Sequence, residues 1–274
     1  MKLRVLLPAA AIILAMLMTG CQGKDNKDTS SAASSKAESS VASTASEESK
    51  EEKTESSEES SEPEESVTAG TPVDTEWFND AEFIGDSVTL KLSYYAENGS
   101  LGDAAFLCAG SLGYNNSLMG IDEEGNVHPV YNGTQYTVFD GTKTIAPKKL
   151  IIMLGMNDIG LYGVDGAIDG MKTVTTRLAE ENPDTVIYIQ SVTPMLENMQ
   201  LTDLNNTTIK EFDEKLKEVC AEKGFKYLDV YSAVEDGSGN LVPEYCGDPE
   251  AMGLHFSDEG CAKWVEYLKN HVND

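Results

Sequence analysis

The sequence predicts an α/β domain over residues 73–274, with helices on both faces of a parallel sheet. Short apolar segments alternate with segments whose apolar residues recur at helical spacing, a pattern typical of strand–helix–strand units. Five segments are candidate strands: 82–84, 104–108, 149–154, 185–192 and 226–230. Residues 121–147, which contain Asn-Gly and Asp-Gly turns, are predicted to form an irregular excursion between the second and third strands.

Three helices are predicted from apolar spacing together with the residues at their ends. Residues 209–220 have helical periodicity and are followed by Gly224, a residue type that often ends helices. Residues 167–178 have the same periodicity and stop before Pro183. The last helix is expected over 257–272, because a serine N-cap and two acidic residues open it.

The chain is strongly acidic. It contains 47 Asp and Glu against 20 Lys and Arg, which gives a formal net charge of −27. Nucleic-acid binding needs clustered Lys and Arg, so no DNA or RNA partner is expected. The same charge repels anionic lipid headgroups, so membrane attachment must come from something other than a basic surface patch. An acidic surface also suits neutral or cationic substrates better than anionic ones.

The N-terminal segment has the features of an export signal. Lys2 and Arg4 precede the apolar run 5–18, which is shorter than the roughly 20 residues needed to span a bilayer. The run leads into Met-Thr-Gly-Cys21, which resembles the lipobox of bacterial lipoproteins. The resemblance implies that residues 1–21 form a signal peptide with the lipobox cysteine, and that Cys21 is acylated and anchors the chain to the outer face of the cell membrane. The alternative is an ordinary secreted protein.

Residues 22–72 are predicted to form a disordered linker. Between residues 24 and 70 the chain consists mainly of Ser, Glu, Ala, Lys and Thr, and it contains no aromatic residue. Such a composition buries too little apolar surface to offset the entropy of ordering. Its like charges favour an extended chain, which would hold the domain away from a surface or act as a passive stalk.

Polar residues of particular kinds follow three of the predicted strands. The first strand runs into Gly-Asp-Ser87, where the chain enters a helix whose N-terminus would favour a developing oxyanion. The second strand is followed by Gly-Ser-Leu-Gly113, and the third by Gly-Met-Asn157-Asp158. Far downstream, His255 lies just before the last predicted helix. In parallel sheets, ligands bind beyond the carboxyl ends of the strands.

In their order and spacing over residues 80–270, these four segments resemble the SGNH, or GDSL, hydrolases. The resemblance implies a flavodoxin-like three-layer α/β/α sandwich with a parallel five-stranded sheet, and hydrolysis of carboxylic esters. It implies that Ser87 is the nucleophile and His255 the general base, and that the N–H of Gly113 and the amide of Asn157 stabilise the oxyanion. Acyl transfer needs these same parts: an activated hydroxyl, a base of near-neutral pKa and oxyanion donors.

The other candidate groups are assigned different roles. Of the remaining histidines, His271 is expected in the last turn of a helix and His128 at a rim within the excursion, so His255 is the best candidate base. Asp86 and Asp158 are interpreted as acids that hold loops rather than as catalytic groups.

One position departs from the family pattern. The family usually has an aspartate three residues before the histidine, but this chain has Met252, whose thioether cannot balance an imidazolium charge. Either Asp248 or Glu250 replaces it, or a backbone carbonyl supports a Ser–His dyad, or catalysis has been lost. We favour Glu250 as the orienting acid, because its longer side chain tolerates the altered register better.

Cys21 apart, the chain has four cysteines, an even number for an exported protein. Cys246 and Cys261 flank His255, and a disulfide between them would fix the base; the alternative is four buried thiols. No zinc-ligand spacing, phosphate-binding loop or dinucleotide fingerprint is present, so no metal or cofactor is expected. Residues 236–240 resemble a calcium-binding turn only weakly and are interpreted as a plain loop.

Together these features predict a cell-surface serine esterase that removes short acyl groups, with acetyl favoured, from a carbohydrate or a related ester. The acyl size and the glycan rest on the family resemblance and on export. Two alternatives stay open: a non-catalytic carbohydrate-binding protein of the same fold, suggested by Met252, and an O-acyltransferase that uses a membrane donor.

Overall fold

A parallel five-stranded sheet forms the centre of the structure, a computed structural model that describes residues 71–273. The strands, numbered along the chain, are β1 (Ala81–Gly85), β2 (Ala105–Cys108), β3 (Val130–Tyr131), β4 (Thr134–Gln135), β5 (Lys149–Met153), β6 (Val186–Gln190) and β7 (Lys226–Leu228). The sheet has the order β2-β1-β5-β6-β7, and β3 and β4 pair separately as an antiparallel ribbon. The predicted fold class is therefore confirmed. Each strand of the five-stranded sheet begins and ends within two residues of the predicted bounds.

The described helices pack on the sheet in two groups. They are α1 (Ser87–Ala96), α2 (Val138–Ile145), α3 (Met156–Glu181), α4 (Asn206–Lys223), α5 (Val230–Val234) and α6 (Asp258–His271). Helix α6 packs against α1 and α5, whereas α3 packs against α2 and α4. Within the described part of the chain, no helix is both long enough and apolar enough to cross a bilayer.

The N-terminal predictions cannot be placed on this fold. The predicted signal peptide over residues 1–21, with Cys21, lies outside the described residues. The same holds for the predicted linker over residues 22–72, apart from its last two residues.

The segment 121–147 is more regular than the sequence indicates, since it contains the β3–β4 ribbon and helix α2. Thr137 caps α2 by accepting a hydrogen bond from the N–H of Asp140 over 3.1 Å. Gly141 lowers the helix propensity of this segment. A Cβ at this position would lie 2.5 Å from a methyl group of Leu107, so the glycine allows α2 to pack closely on β2. The sequence of 121–147 does not indicate this close packing, and it does not predict α2.

The turn from β5 into α3 requires a glycine. Gly155 has a φ of 131°, and a Cβ there would lie 2.7 Å from the ring of Phe212. The turn brings the first residues of α3 to the carboxyl edge of the sheet. Further along, α3 is interrupted at Gly163, where φ is 69°.

A carboxylic acid is buried inside the sheet. Glu82 of β1 is fully buried, and its Oε1 accepts a hydrogen bond from the hydroxyl of Thr142 over 2.9 Å. Its Oε2 has no partner among the described residues. Burial raises the pKa of Glu82 from its ordinary value of 4.5 to about 8, and the Thr142 hydrogen bond offsets this only in part. The side chain is therefore mainly protonated at neutral pH.

Replacing this acid should change the pH dependence of stability. In the native state Glu82 keeps its proton until about pH 8, whereas the unfolded chain releases it near 4.5. The native state therefore binds the extra proton, and the free energy of unfolding falls as pH rises between these values, by at most about 1.4 kcal/mol per pH unit. Glu82→Gln, which does not titrate, should remove this slope in urea unfolding at pH 5, 6.5 and 8. Equal slopes in both proteins would contradict a protonated Glu82.

Candidate active site

Ser87 is placed by the turn between β1 and α1. Asp86 caps α1, since its Oδ1 accepts a hydrogen bond from the N–H of Val88 over 2.9 Å. Ser87 is the first residue of the helix, and N–H groups of a first helical turn lack an acceptor within the helix. Its hydroxyl and its N–H thus lie at the carboxyl edge of the sheet, beside the positive end of a helix dipole.

The structure brings His255 and Ser87 together across 168 residues of chain. His255 Nε2 lies 2.8 Å from Ser87 Oγ. His255 precedes the N-terminus of α6, which is capped by Ser257 and packs against α1. A neutral imidazole in this position can accept the hydroxyl proton during nucleophilic attack.

The acid beside the imidazole is Asp248. Its Oδ2 lies 2.7 Å from His255 Nδ1. Glu250, which the sequence favours for this role, is exposed, and it forms no hydrogen bond or ion pair with another residue of the described range. The preference for Glu250 is therefore corrected to Asp248. The physical reason is the path of the loop, which folds back so that Asp248 Oδ1 accepts the N–H groups of Leu254 and His255, each over 3.1 Å.

The Asp248 carboxylate is held in its charged form. Burial acts to raise its pKa, but the hydrogen bond and the charge of His255 outweigh burial and keep the pKa of Asp248 below its ordinary value. A charged carboxylate stabilises the imidazolium that forms when His255 takes a proton. At the position of the usual family acid, Met252 contributes only its backbone N–H, which donates to Asp248 Oδ2 over 3.3 Å. Of the alternatives raised by Met252, this geometry favours a relocated acid.

Of the two alternatives for Cys246 and Cys261, the disulfide is not formed. The described cysteines are free thiols: Cys108, Cys220, Cys246 and Cys261. The thiol of Cys246 instead donates to Asp248 Oδ1 over 3.4 Å, and burial raises its pKa to about 11. The loop is held by its backbone, where the N–H of Gly247 donates to the carbonyl of His255 over 2.7 Å.

Asn157 links the ends of three strands. Its Nδ2 donates to the carbonyl of Leu112 over 3.0 Å and lies 3.4 Å from Oδ2 of Asp86. It therefore lies between the residue before Ser87 and the residue before Gly113. Burial raises the pKa of Asp86 to about 6, against the opposing effects of the Val88 N–H and of the His255 charge.

Asp158 holds the loop that carries Gly113. Its Oδ2 accepts the N–H of Tyr114 and its Oδ1 accepts the N–H of Asn115, each over 2.8 Å. A Cβ on Gly113 would lie 2.6 Å from Asp158 Oδ2, so this close approach requires glycine. The N–H of Gly113 itself donates to Oδ1 of Asn116 over 2.8 Å. Asp86 and Asp158 thus both act as loop-holding acids.

Residues 83–263 match the sequence profile of the GDSL-like lipase/acylhydrolase family, which is well over half of the chain. The chain belongs to this family. The match includes the segments that carry Ser87, Gly113, Asn157 and His255. No curated protein sequence matches the chain.

Solved structures of GDSL-like proteins share this fold. A Streptococcus pneumoniae protein provisionally named a platelet activating factor is 21% identical, with a TM-score of 0.54 over 71% of this chain and 87% of its own. A GDSL-like lipase from Bacteroides thetaiotaomicron is 14% identical, with a TM-score of 0.52 over 73% and 89%. A protein from Desulfitobacterium hafniense, provisionally named a lipolytic protein of the G-D-S-L family, is 20% identical, with a TM-score of 0.51 over 69% and 97%. At these identities the likeness shows the fold.

The other two histidines of this GDSL-like protein have different surroundings. A ring nitrogen of His271 donates to the carbonyl of Tyr267 over 2.8 Å at the end of α6. His128 is buried rather than at a rim, and neither ring nitrogen has a partner among the described residues. The segment that carries His128 contains the β3–β4 ribbon and helix α2, which the turn-rich sequence does not indicate.

A cavity of about 610 Å³ opens beside Asn157. Its lining includes Asn116 and the apolar side chains of Met156, Leu161, Leu201 and Leu204. The volume falls within the range of small-molecule sites. Leu161 and Leu201 are 75% and 62% exposed, and the exposed Thr202 and Asp203 also line the cavity, so its rim is mixed in polarity.

The described residues contain no group of three or more His, Cys, Asp or Glu side chains placed to hold a metal ion. In residues 236–240, which resemble a calcium-binding turn only weakly, the Asp236 carboxylate is used in hydrogen bonds within the turn. Asp236 Oδ1 accepts the N–H groups of Ser238 and Asn240, over 2.8 and 3.1 Å.

The relocated acid gives a direct test of the site. Asp248→Asn should lower kcat for p-nitrophenyl acetate by about 10²–10⁴, because the amide cannot stabilise the imidazolium and favours the wrong histidine tautomer. Glu250→Gln, in the same loop, is the matched control and should retain the parent rate. The opposite ranking of the two variants would restore Glu250 as the acid, and parent rates in both would indicate a Ser–His dyad.

Proposed function

We propose that this chain is a serine esterase that cleaves carboxylic esters through an acyl-enzyme intermediate. The observation that carries the proposal is the unbroken series Asp248–His255–Ser87, with contacts of 2.7 and 2.8 Å. The series begins at a charged carboxylate and ends at a hydroxyl beside a helix N-terminus. This is the arrangement that general-base activation of a serine requires.

The reaction proceeds in two acyl-transfer steps. Ser87 Oγ attacks the ester carbonyl carbon while His255 Nε2 takes the hydroxyl proton, which gives a tetrahedral oxyanion. His255 then returns the proton to the leaving alcohol as the C–O bond breaks and the acyl-Ser87 ester forms. Water, deprotonated by His255, attacks this ester, and the carboxylic acid product leaves with Ser87 regenerated. Asp248 stabilises the imidazolium in both steps.

The oxyanion needs donors on the side of Ser87 that faces Asn157. The backbone N–H of Ser87 and the amide of Asn157 lie at this edge, and Asn157 is connected to the Ser87 turn through Asp86. Loss of one such donor typically lowers kcat by about 10²–10³. Gly113 is the third candidate donor, and its N–H is engaged by Asn116.

We propose short acyl groups, acetyl first among them, as the group removed, and an acylated carbohydrate or a related small ester as the substrate. The acidic net charge of −27 supports an uncharged substrate over an anionic one. The cavity beside Asn157 supports a small-molecule ester, because it has the volume of a small-molecule site and is lined by a candidate oxyanion donor.

We further propose that the enzyme acts outside the cell, held on the outer face of a bacterial membrane through an acylated Cys21. The charged and apolar segments before Cys21 support export, and the lipobox-like residues support acylation. The Ser- and Glu-rich segment 22–72 would set the distance between the membrane and the esterase domain.

Ester hydrolysis should depend on Ser87. The purified domain is expected to release p-nitrophenol from the acetate ester faster than from the octanoate ester, and to release acetate from acetylated glycans, whereas Ser87→Ala should do neither. Glycan binding without turnover in the parent protein would instead indicate a carbohydrate-binding role. Acyl transfer that rises with an added acceptor, at the expense of hydrolysis, would indicate an O-acyltransferase.

Lipid attachment should depend on Cys21. The full chain expressed in a bacterial host is expected to incorporate labelled palmitate and to partition with membranes. Cys21→Ser should lose both properties, whereas Cys108→Ser, a cysteine change within the folded domain, should retain them. Labelling that persists in Cys21→Ser would contradict the anchor.

A further inference from the structure

The side chain of Asn116 accepts a hydrogen bond from the Gly113 N–H, a donor that the proposed reaction needs. Its Oδ1 accepts the N–H of Gly113 over 2.8 Å, while its Nδ2 donates to the carbonyl of Ser111 over 2.7 Å. A backbone N–H carries one proton, so the Gly113 N–H can serve an oxyanion fully only if Asn116 Oδ1 moves away. In the resting structure the N–H of Gly113 is therefore engaged, as is the amide of Asn157, which donates to the carbonyl of Leu112.

The loop around Gly113 does not depend on Asn116 for its shape. From the opposite side, the Asp158 carboxylate accepts the N–H groups of Tyr114 and Asn115. It also accepts the side-chain amide of Asn115 over 2.9 Å. These bonds involve a carboxylate and are stronger than the two neutral bonds of Asn116. Asn116 can thus release Gly113 while the backbone stays in place.

Asn116 also has space into which it can move. The side chain is half-buried and lines the cavity of about 610 Å³ beside Asn157. Ser111, whose carbonyl is its other partner, is exposed, so water can replace that hydrogen bond.

Charge decides when Asn116 is displaced. The carbonyl oxygen of a bound ester is a neutral acceptor, no stronger than the amide oxygen of Asn116, and does not displace it. The tetrahedral intermediate carries a full negative charge on the same oxygen, and hydrogen bonds to a charged acceptor are roughly twice as strong. The hydrogen bond of the Gly113 N–H therefore changes acceptor, from Asn116 Oδ1 to the substrate oxygen, as the oxyanion forms. Because this hydrogen bond is made only at that stage, it contributes to kcat rather than to substrate affinity.

We propose that Asn116 is a positioning residue that closes the oxyanion site at rest and swings into the cavity when the oxyanion forms. The proposal rests on the proposed esterase function and adds a residue to its machinery. Breaking the two Asn116 hydrogen bonds is then part of the activation barrier, and removing the side chain lowers that barrier.

Two substitutions at this position should act in opposite directions. Asn116→Ala frees the Gly113 N–H and should raise kcat for p-nitrophenyl acetate by roughly three- to tenfold, with KM little changed. Asn116→Asp places a charged acceptor on the same N–H and repels the oxyanion, so it should lower kcat by at least about tenfold. An alkylboronic acid, whose adduct with Ser87 places a negatively charged tetrahedral centre at the site, should inhibit Asn116→Ala more strongly than the parent.

Asn157→Ala serves as the contrasting variant, because loss of a true oxyanion donor should lower kcat by about 10²–10³. Thermal unfolding of each variant separates loss of fold from loss of function. If Asn116→Ala keeps the parent melting temperature and does not raise kcat, Asn116 does not hold back the Gly113 N–H, and the proposal is overturned while the esterase function stands. If the parent shows no Ser87-dependent turnover, the esterase function fails and the proposal fails with it.

Discussion

Three of the four segments that deliver a functional group to the site are held by a carboxylate that accepts backbone N–H groups. Asp86 holds the turn with Ser87, Asp158 holds the loop with Gly113, and Asp248 holds the loop with His255. An acceptor-only group with two oxygens can fix several N–H groups at once, which suits short irregular segments that lack their own hydrogen-bond ladder. The precision of the site therefore rests on these three aspartates as much as on the sheet beneath it.

The three carboxylates differ in how their charge is stabilised. Burial raises the pKa of Asp86 to about 6 and raises that of Asp158, because the N–H groups that they accept offset desolvation only in part. Asp248 alone bonds to an imidazole, and His255 keeps its pKa below the ordinary value. Asp86 and Asp158 thus accept backbone N–H groups at a cost in desolvation, whereas Asp248 is placed to stabilise a positive charge on His255.

The acid beside His255 stands at a different sequence position from the one that is usual in the family. The carboxylate has to lie within hydrogen-bond distance of His255 Nδ1. It can come from more than one sequence position, provided that the loop brings that position close to the imidazole. Here the loop turns so that the N–H groups of Leu254 and His255 meet Asp248 Oδ1. Position 252 then contributes only backbone, and its methionine side chain is 44% exposed.

The sequence by itself determined the α/β class, the five sheet strands and the helices at 209–220 and 257–272, because apolar periodicity reports which face of each element is buried. The polar segments at the strand ends, through their resemblance to the SGNH hydrolases, also indicated Ser87, Asn157 and His255 as site residues. Helix α2, the identity of the acid beside His255 and the state of the cysteines follow only from the tertiary structure. The close packing of α2 on β2 at Gly141 is a tertiary contact, and the choice of Asp248 over Glu250 depends on the path of one loop. Cys246 meets a carboxylate rather than Cys261 for the same reason: a through-space distance is set by backbone conformation, which residue spacing does not encode.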